Sequence, residues 1–241
     1  MTRFLLMAMA IVVVVMAAGC YDLPADLNCP PEPGPRLVVR GDSLGAFAET
    51  TVKPGLAADH DGPVCYVAAG GTQINNHSAS LPLVGENDCV IMELGTNDIS
   101  NEVHQQTEVD MHAAADELSD ARAQVWFTLN TTGGDLRGTP YSSRTRWFND
   151  ELLRMAESGQ WPNMIVWRWD LAALGHPEWL NLPSDKLHMN TTGVLAYAAS
   201  MRQAAATCPW PPPPPPPTTT TVPESTTTTS EAALTMALVG V

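Results

Sequence analysis

Arg36-Leu37-Val38-Val39-Arg40 runs directly into Gly41-Asp42-Ser43, and this junction decides the fold. A short Leu/Val-rich run with proline before it and glycine after it reads as a buried strand. The tripeptide behind it reads as a strand-to-helix turn, in which the polar side chains cap the helix start. Four later runs have the same character: residues 64–68, 89–94, 124–129 and 164–169. Helical patterns lie between and after the later ones. Residues 107–123 place Val109, Ala113 and Leu118 on one stripe, and residues 143–158 place Trp147, Leu152 and Met155. Residues 190–206 open with polar capping residues and continue with Val194, Leu195, Tyr197 and Met201. Strands alternating with helices predict an α/β fold with helices on both faces of a parallel sheet. The expected architecture is a three-layer α/β/α, flavodoxin-like doubly wound sheet of about five strands in the order 2-1-3-4-5.

In such sheets ligands bind beyond the carboxyl ends of the strands, where the strand order reverses. Here that point lies between the first and third strands. Gly41-Asp42-Ser43 follows the first, and Gly95-Thr96-Asn97-Asp98 follows the third. The two polar words therefore border one crevice, although they are far apart along the chain.

A third word, Asp185-Lys186-Leu187-His188, stands just before the last helical pattern. Together the three words hold the parts of a serine-based acyl-transfer site. Ser43 is the candidate nucleophile, and His188 the base that takes and returns its proton. Asp185, three residues upstream, would orient the imidazole. None of His60, His77, His104, His112 or His176 combines a close upstream Asp with entry into the terminal helix. Asn97 would donate its side-chain amide to the oxyanion, beside the Ser43 N–H and a backbone N–H from Gly70 or Gly71. Taken singly, each word also reads as ordinary turn chemistry; their order and placement carry the argument.

The set resembles the SGNH, or GDSL, hydrolase family across the whole central domain. The matching residues are Gly41-Asp42-Ser43, Ala69-Gly70-Gly71-Thr72, Gly95-Thr96-Asn97-Asp98, Asp185 with His188, and Gly193 five residues after His188. The resemblance implies the SGNH fold, a Ser43/His188/Asp185 triad, and an oxyanion hole from Ser43, glycine and Asn97. Gly70 fits the family's Gly-x-Thr spacing. Where the family often has Asn-x-Gly-x-x-Gly, this chain reads Val67-Ala68-Ala69-Gly70-Gly71-Thr72.

The flanking segments say where such chemistry would operate. Residues 1–19 begin with Arg3, continue in an apolar run and end in Ala17-Ala18-Gly19. This is the layout of a secretory signal. Cys20 follows as a candidate for lipidation, which would be the chain's only membrane attachment. An ordinary cleaved signal or an uncut anchor are the alternatives, and all three place the domain outside the cytoplasm. The expected hydrolase domain is 28–210, and the Pro/Thr-rich residues 211–241 read as a disordered stalk. Cys29, Cys65, Cys89 and Cys208 are even in number, which suits disulfides in an oxidising compartment. Three pairings are open; joining Cys29 to Cys208 would staple the domain's two ends.

The 241-residue chain carries a formal net charge of −14, which argues against nucleic acid as a partner. Cysteine and histidine spacing gives no metal motif, and no phosphate-cradling glycine turn follows the first strand. The reading needs neither metal nor organic cofactor. It predicts a monomer acting on a small ester or an acylated polysaccharide. Trp161, Trp167, Trp169 and Trp179 stand close in sequence to the histidine word; they suit stacking on sugars or packing of the last strand. Acyl transfer to a surface polysaccharide, or an inactive surface binding module, are the competing readings.

Overall fold

A computed structural model describes residues 23, 25–30, 34–101, 103–130, 141–181 and 185–210. The signal segment 1–19, Cys20, the tail 211–241 and residues 182–184 of the histidine loop lie outside the described residues. Five parallel strands form one sheet: β1 (Leu37–Gly41), β2 (Val64–Ala68), β3 (Cys89–Glu93), β4 (Ala123–Phe127) and β5 (Met164–Trp167), in the order β2-β1-β3-β4-β5. This is the doubly wound α/β fold expected of the sequence.

Alternation along the strands sorts side chains onto two faces. Leu37, Val39, Tyr66, Ile91, Val125 and Phe127 face helices α1 (Ser43–Asp59) and α6 (Thr191–Ala205). Val38, Cys65, Val90, Met92 and Trp126 face the other layer. That layer holds the short α2 (Thr96–Asn101), α3 (His104–Glu117) and α4 (Tyr141–Glu157); a single-turn α5 (Trp169–Ala172) follows β5. Both cores are closed, with Leu37, Val38, Ile91 and Trp126 fully buried. Burying one such apolar side chain stabilises the fold by about 1.5–3 kcal/mol.

The strand ends are level, and this positions the site. Gly41 pairs with Ala68 on one side and Glu93 on the other. The chain therefore leaves β1, β2 and β3 along one line, and the loops carrying Ser43, Gly70 and Asn97 start side by side.

The helix faces differ from the sequence reading. Residues 107–123 are not one helix: α3 ends at Glu117, and β4 begins at Ala123. Val109 and Ala113 are exposed, and the buried stripe is Thr107, Met111, Ala114 and Ala115. Leu118 of the expected stripe is buried just past the end of α3, but the rest of the face is Met111 among Thr107, Ala114 and Ala115, so Val109 was a poor guide to it. On α6, Leu195 is exposed, while Gly193, Tyr197, Ala198 and Met201 face the sheet.

The disulfides are Cys29–Cys65 and Cys89–Cys208. A Cys29–Cys208 staple does not form because the sheet separates the two residues. Cys29 packs on the α3/α4 face with Cys65, whereas Cys208 sits on the α1/α6 face with Cys89. Each bridge thus ties a terminal segment to a strand of its own face. Sequence separations of 36 and 119 correspond to about 4 and about 5 kcal/mol in the chain-entropy model. Non-reducing peptide mapping should recover these two pairs, and Cys208→Ser should lower the unfolding free energy by several kcal/mol. Recovery of a Cys29–Cys208 peptide would contradict the two-face arrangement.

Candidate active site

The start of α1 is set by Asp42. Its carboxylate accepts from the Leu44 N–H at 2.9 Å, and its own N–H donates to the Glu93 carbonyl at 3.1 Å. Ser43 is therefore the first residue of a capped helix, directly past the end of β1. Its Oγ lies 3.0 Å from His188 Nε2.

His188 is held from its other side. Asp185 Oδ2 stands 2.6 Å from His188 Nδ1, and Oδ1 accepts the backbone N–H groups of Leu187 at 2.9 Å and His188 at 3.0 Å. One carboxylate thus orients both the ring and the backbone that carries it. Burial works against ionisation of Asp185, but those two N–H groups and the imidazole outweigh it and hold the carboxyl below its ordinary value.

The loop itself is pinned to residues 176–181. Asn181 N–H donates to the His188 carbonyl, Asn190 N–H donates to the Trp179 carbonyl, and Leu180 bridges Met189. Asn190 then caps α6, its Oδ1 accepting from Thr192 at 3.0 Å and Gly193 at 3.1 Å. The polar word after His188 thereby fixes the height of the imidazole above the sheet.

Asn97 and Gly70 complete the crevice. Asn97 Nδ2 donates one hydrogen to the Thr72 carbonyl at 2.9 Å, which leaves its second hydrogen for another acceptor. Thr72 Oγ1 in turn bonds the Ala69 carbonyl at 2.8 Å. Asp98, fully buried, accepts the Ile74 N–H at 3.0 Å and so ties the loop after β3 to the loop after β2. A Cβ on Gly70 would stand 4.0 Å from that of Ser43, whereas Gly71 has nothing within 4 Å. Gly70, not Gly71, is the glycine beside the serine. At Gly95 the backbone adopts φ +120°, and any side chain would overlap the Phe148 ring; glycine alone permits the turn that delivers Asn97.

Beneath the serine turn lies a buried acid that sequence reasoning passed over. Glu93 ends β3 under Gly41 and Gly45, where a Cβ on Gly45 would fall 2.5 Å from Glu93 Oε2. Burial and then the neighbouring Asp42 push its carboxyl well above the ordinary glutamate value, against the opposing pull of the Tyr197 hydroxyl and the N–H groups of Gly45 and Asp42. Burial likewise raises Asp42 to about 6. The available signal was an acid inside the apolar run Cys89-Val90-Ile91-Met92-Glu93-Leu94.

The tryptophans divide. Trp161 belongs to the opposite layer, donating to Asp116 Oδ1 at 2.8 Å. Trp167, the last residue of β5, packs on the α1/α6 face and donates to Ser200 Oγ at 2.7 Å. Trp169 is buried, and half-buried Trp179 stacks on it and on His176, with ring centroids 5.9 Å and 4.0 Å away. Packing accounts for Trp161, Trp167 and Trp169. Away from the crevice, Glu108, His112 and Glu151 come within 4.8 Å of one another through two helices. Arg154 already contacts all three there, lying 3.6 Å from Glu108 and 3.5 Å from His112 and ion-paired with Glu151.

No family model and no curated protein matches the chain. Solved structures do. The C-terminal catalytic domain of peptidoglycan O-acetyltransferase A from Streptococcus pneumoniae superposes with a TM-score of 0.57 at 18% identity, covering 73% of this chain and 95% of that one. A catalytic mutant of an acetylxylan esterase from Geobacillus stearothermophilus gives 0.55 at 15% identity, covering 71% and 94%. A GDSL-like lipase from Bacteroides thetaiotaomicron gives 0.55 at 13%, covering 71% and 87%. The chain has the SGNH/GDSL hydrolase fold.

The buried acids make stability depend on pH. Below about pH 3 Glu93 and Asp42 are largely protonated in both folded and unfolded chains. As pH rises past their ordinary values, 4.5 and 3.8, the unfolded chain releases these protons while the folded chain retains them. Stability contributed by the raised values is therefore lost with rising pH. Asp185, shifted the other way, contributes stability that is lost as pH falls. Glu93→Gln should flatten the decline in urea midpoint as pH rises past the ordinary glutamate value. An unchanged slope would mean that Glu93 is ionised in the folded protein.

Proposed function

We propose that this chain is an exported serine esterase, acting as a monomer, that hydrolyses short-chain or carbohydrate O-acyl esters through an acyl-Ser43 intermediate. The observation that carries the proposal is the unbroken line from Ser43 Oγ to His188 Nε2 at 3.0 Å and from His188 Nδ1 to Asp185 at 2.6 Å. This is the geometry that a nucleophile, its base and an orienting carboxylate require.

In this reading His188 Nε2 takes the Ser43 proton as Oγ attacks the ester carbon. Negative charge then collects on the former carbonyl oxygen. The Ser43 and Gly70 N–H groups and the free hydrogen of Asn97 Nδ2 would receive it. Thr72 and Asp98 hold these donors in place before the reaction begins, so little reorganisation is needed as charge develops. The imidazolium, paired with Asp185, next passes its proton to the alcohol oxygen as the C–O bond breaks. Acyl-Ser43 and free alcohol result. Water repeats the sequence, with His188 again as base, and releases the acid.

A sugar hydroxyl in place of that water would complete a transfer by the same steps. The likeness to a peptidoglycan O-acetyltransferase domain supports this second reading, and the likeness to an acetylxylan esterase supports hydrolysis. The two disulfides suit an extracytoplasmic site of action. Among the described residues no helix is long and apolar enough to cross a membrane. In this proposal residues 1–19 direct export, Cys20 carries any lipid, 28–210 form the enzyme and 211–241 a stalk.

Ser43→Ala should lower kcat for a short-chain nitrophenyl ester by about 10⁴-fold or more. Asn97→Ala should cost about 10²–10³-fold in kcat. Product analysis with and without a sugar acceptor separates transfer from hydrolysis. Polysaccharide binding that survives Ser43→Ala, with no ester turnover by the unmodified chain, would instead identify a surface binding module.

A further inference from the structure

The crevice has one wall that the triad and its amide donors leave unused. Phe47 is 53% exposed and is the one aromatic ring among the exposed large hydrophobic residues described. It stands on α1 four residues after Ser43. Residues four apart share a helix face, and helical side chains lean toward the N-terminus. The ring therefore lies over the first turn of α1, on the side of the serine. Its centroid is 6.2 Å from that of His188, with the ring planes inclined at 54°.

The chemistry assigns a side to this ring. His188 Nε2 must reach the oxygen of the departing alcohol to return its proton. The group attached to that oxygen must therefore pass the imidazole. The oxyanion points instead toward Gly70 and Asn97. A ring that borders His188 meets the alcohol portion of the ester and not the carbonyl oxygen.

We propose that Phe47 forms the wall of the alcohol subsite and selects esters whose alcohol carries a ring with an apolar or C–H-rich face. The inference rests on the esterase reading of Ser43 and His188 and names the part of the substrate that the site distinguishes. Flat stacking on a ring buries apolar surface that a short linear alcohol does not offer. Deacylation is not affected, because the alcohol has left by then and acyl-Ser43 is the same for every ester of one acid.

The test uses the full chain with ethyl, cyclohexylmethyl and benzyl acetate, and with the corresponding butyrates. The proteins are the unmodified chain, Phe47→Ala and Phe47→Trp. Phe47→Ala should lower kcat/KM for the two ring-bearing alcohols by about tenfold while leaving the ethyl esters within about twofold. Phe47→Trp should restore the preference. The loss should be the same for acetate and butyrate, and the melting temperature of Phe47→Ala should stay near that of the unmodified chain. An equal loss for all alcohols would mean that the ring only steadies His188, and would overturn the proposal. A loss that follows acyl length would place Phe47 on the acyl side and also overturn it. Absence of turnover of every ester by the unmodified chain would remove the esterase reading, and the subsite with it.

Discussion

The register of β1 against its two neighbours is the constraint on which everything else depends. Gly41 sits level with Ala68 and Glu93, so three loops leave the sheet at one height. Slip either pairing by one residue and the side chains exchange faces. Ser43 would then lose its place opposite His188, and Gly70 its place beside Ser43. Parallel pairing over only five residues per strand is a weak specification by itself. The fully buried faces of β1 and β3 supply the rest, since a slipped strand would drive Arg40 or Glu93 into the wrong layer.

The site is built at some cost to the core beneath it. Asp42 and Glu93 are both buried under the serine turn, and a lone ionised carboxylate there would be costly. Burial and the neighbouring Asp42 push the Glu93 carboxyl above its ordinary value and so disfavour two adjacent charges, while Asp42 caps α1. Gly41 and Gly45 admit the Glu93 carboxyl where any side chain would block it. The disulfides work in the opposite direction. One anchors the segment before β1 to β2, and the other anchors the end of α6 to β3. Both strands that flank β1 are thus tied covalently to the ends of the domain.

Much of this was legible in the sequence. The five strands were marked by short Val/Ile/Leu runs between Gly, Pro and Asp, and each boundary lies within a few residues of its expected place. Alternating strands and helices pointed to a parallel α/β sheet, and the flavodoxin-like order 2-1-3-4-5 expected of it is the order observed. Ser43 and Asn97 stood out as polar residues immediately after apolar runs, and Asp185 with His188 as a pair just before the last helical pattern. What escaped reading depended on tertiary contact. The start of α1 at Ser43 was expected, but its extent to Asp59 was hidden by Thr50-Thr51 and by Pro54-Gly55, whose weak propensity the packing of Ala48, Val52 and Leu56 overrides. The face of α3 was misjudged because Met111 is its one large apolar residue, set among Thr107, Ala114 and Ala115. The cysteine pairing needed knowledge of which sheet face each terminus crosses. That Gly70, rather than Gly71, lies beside Ser43 could be read only from the folded chain.

Labelling with a fluorophosphonate, read by peptide mass spectrometry, tests the central claim most directly. That claim is that Asp185 and His188 together activate one serine. The account predicts a single adduct, on Ser43, whose rate of formation collapses in His188→Ala and falls less steeply in Asp185→Asn. No adduct on the folded chain, or a Ser43 adduct formed equally fast without His188, would contradict it.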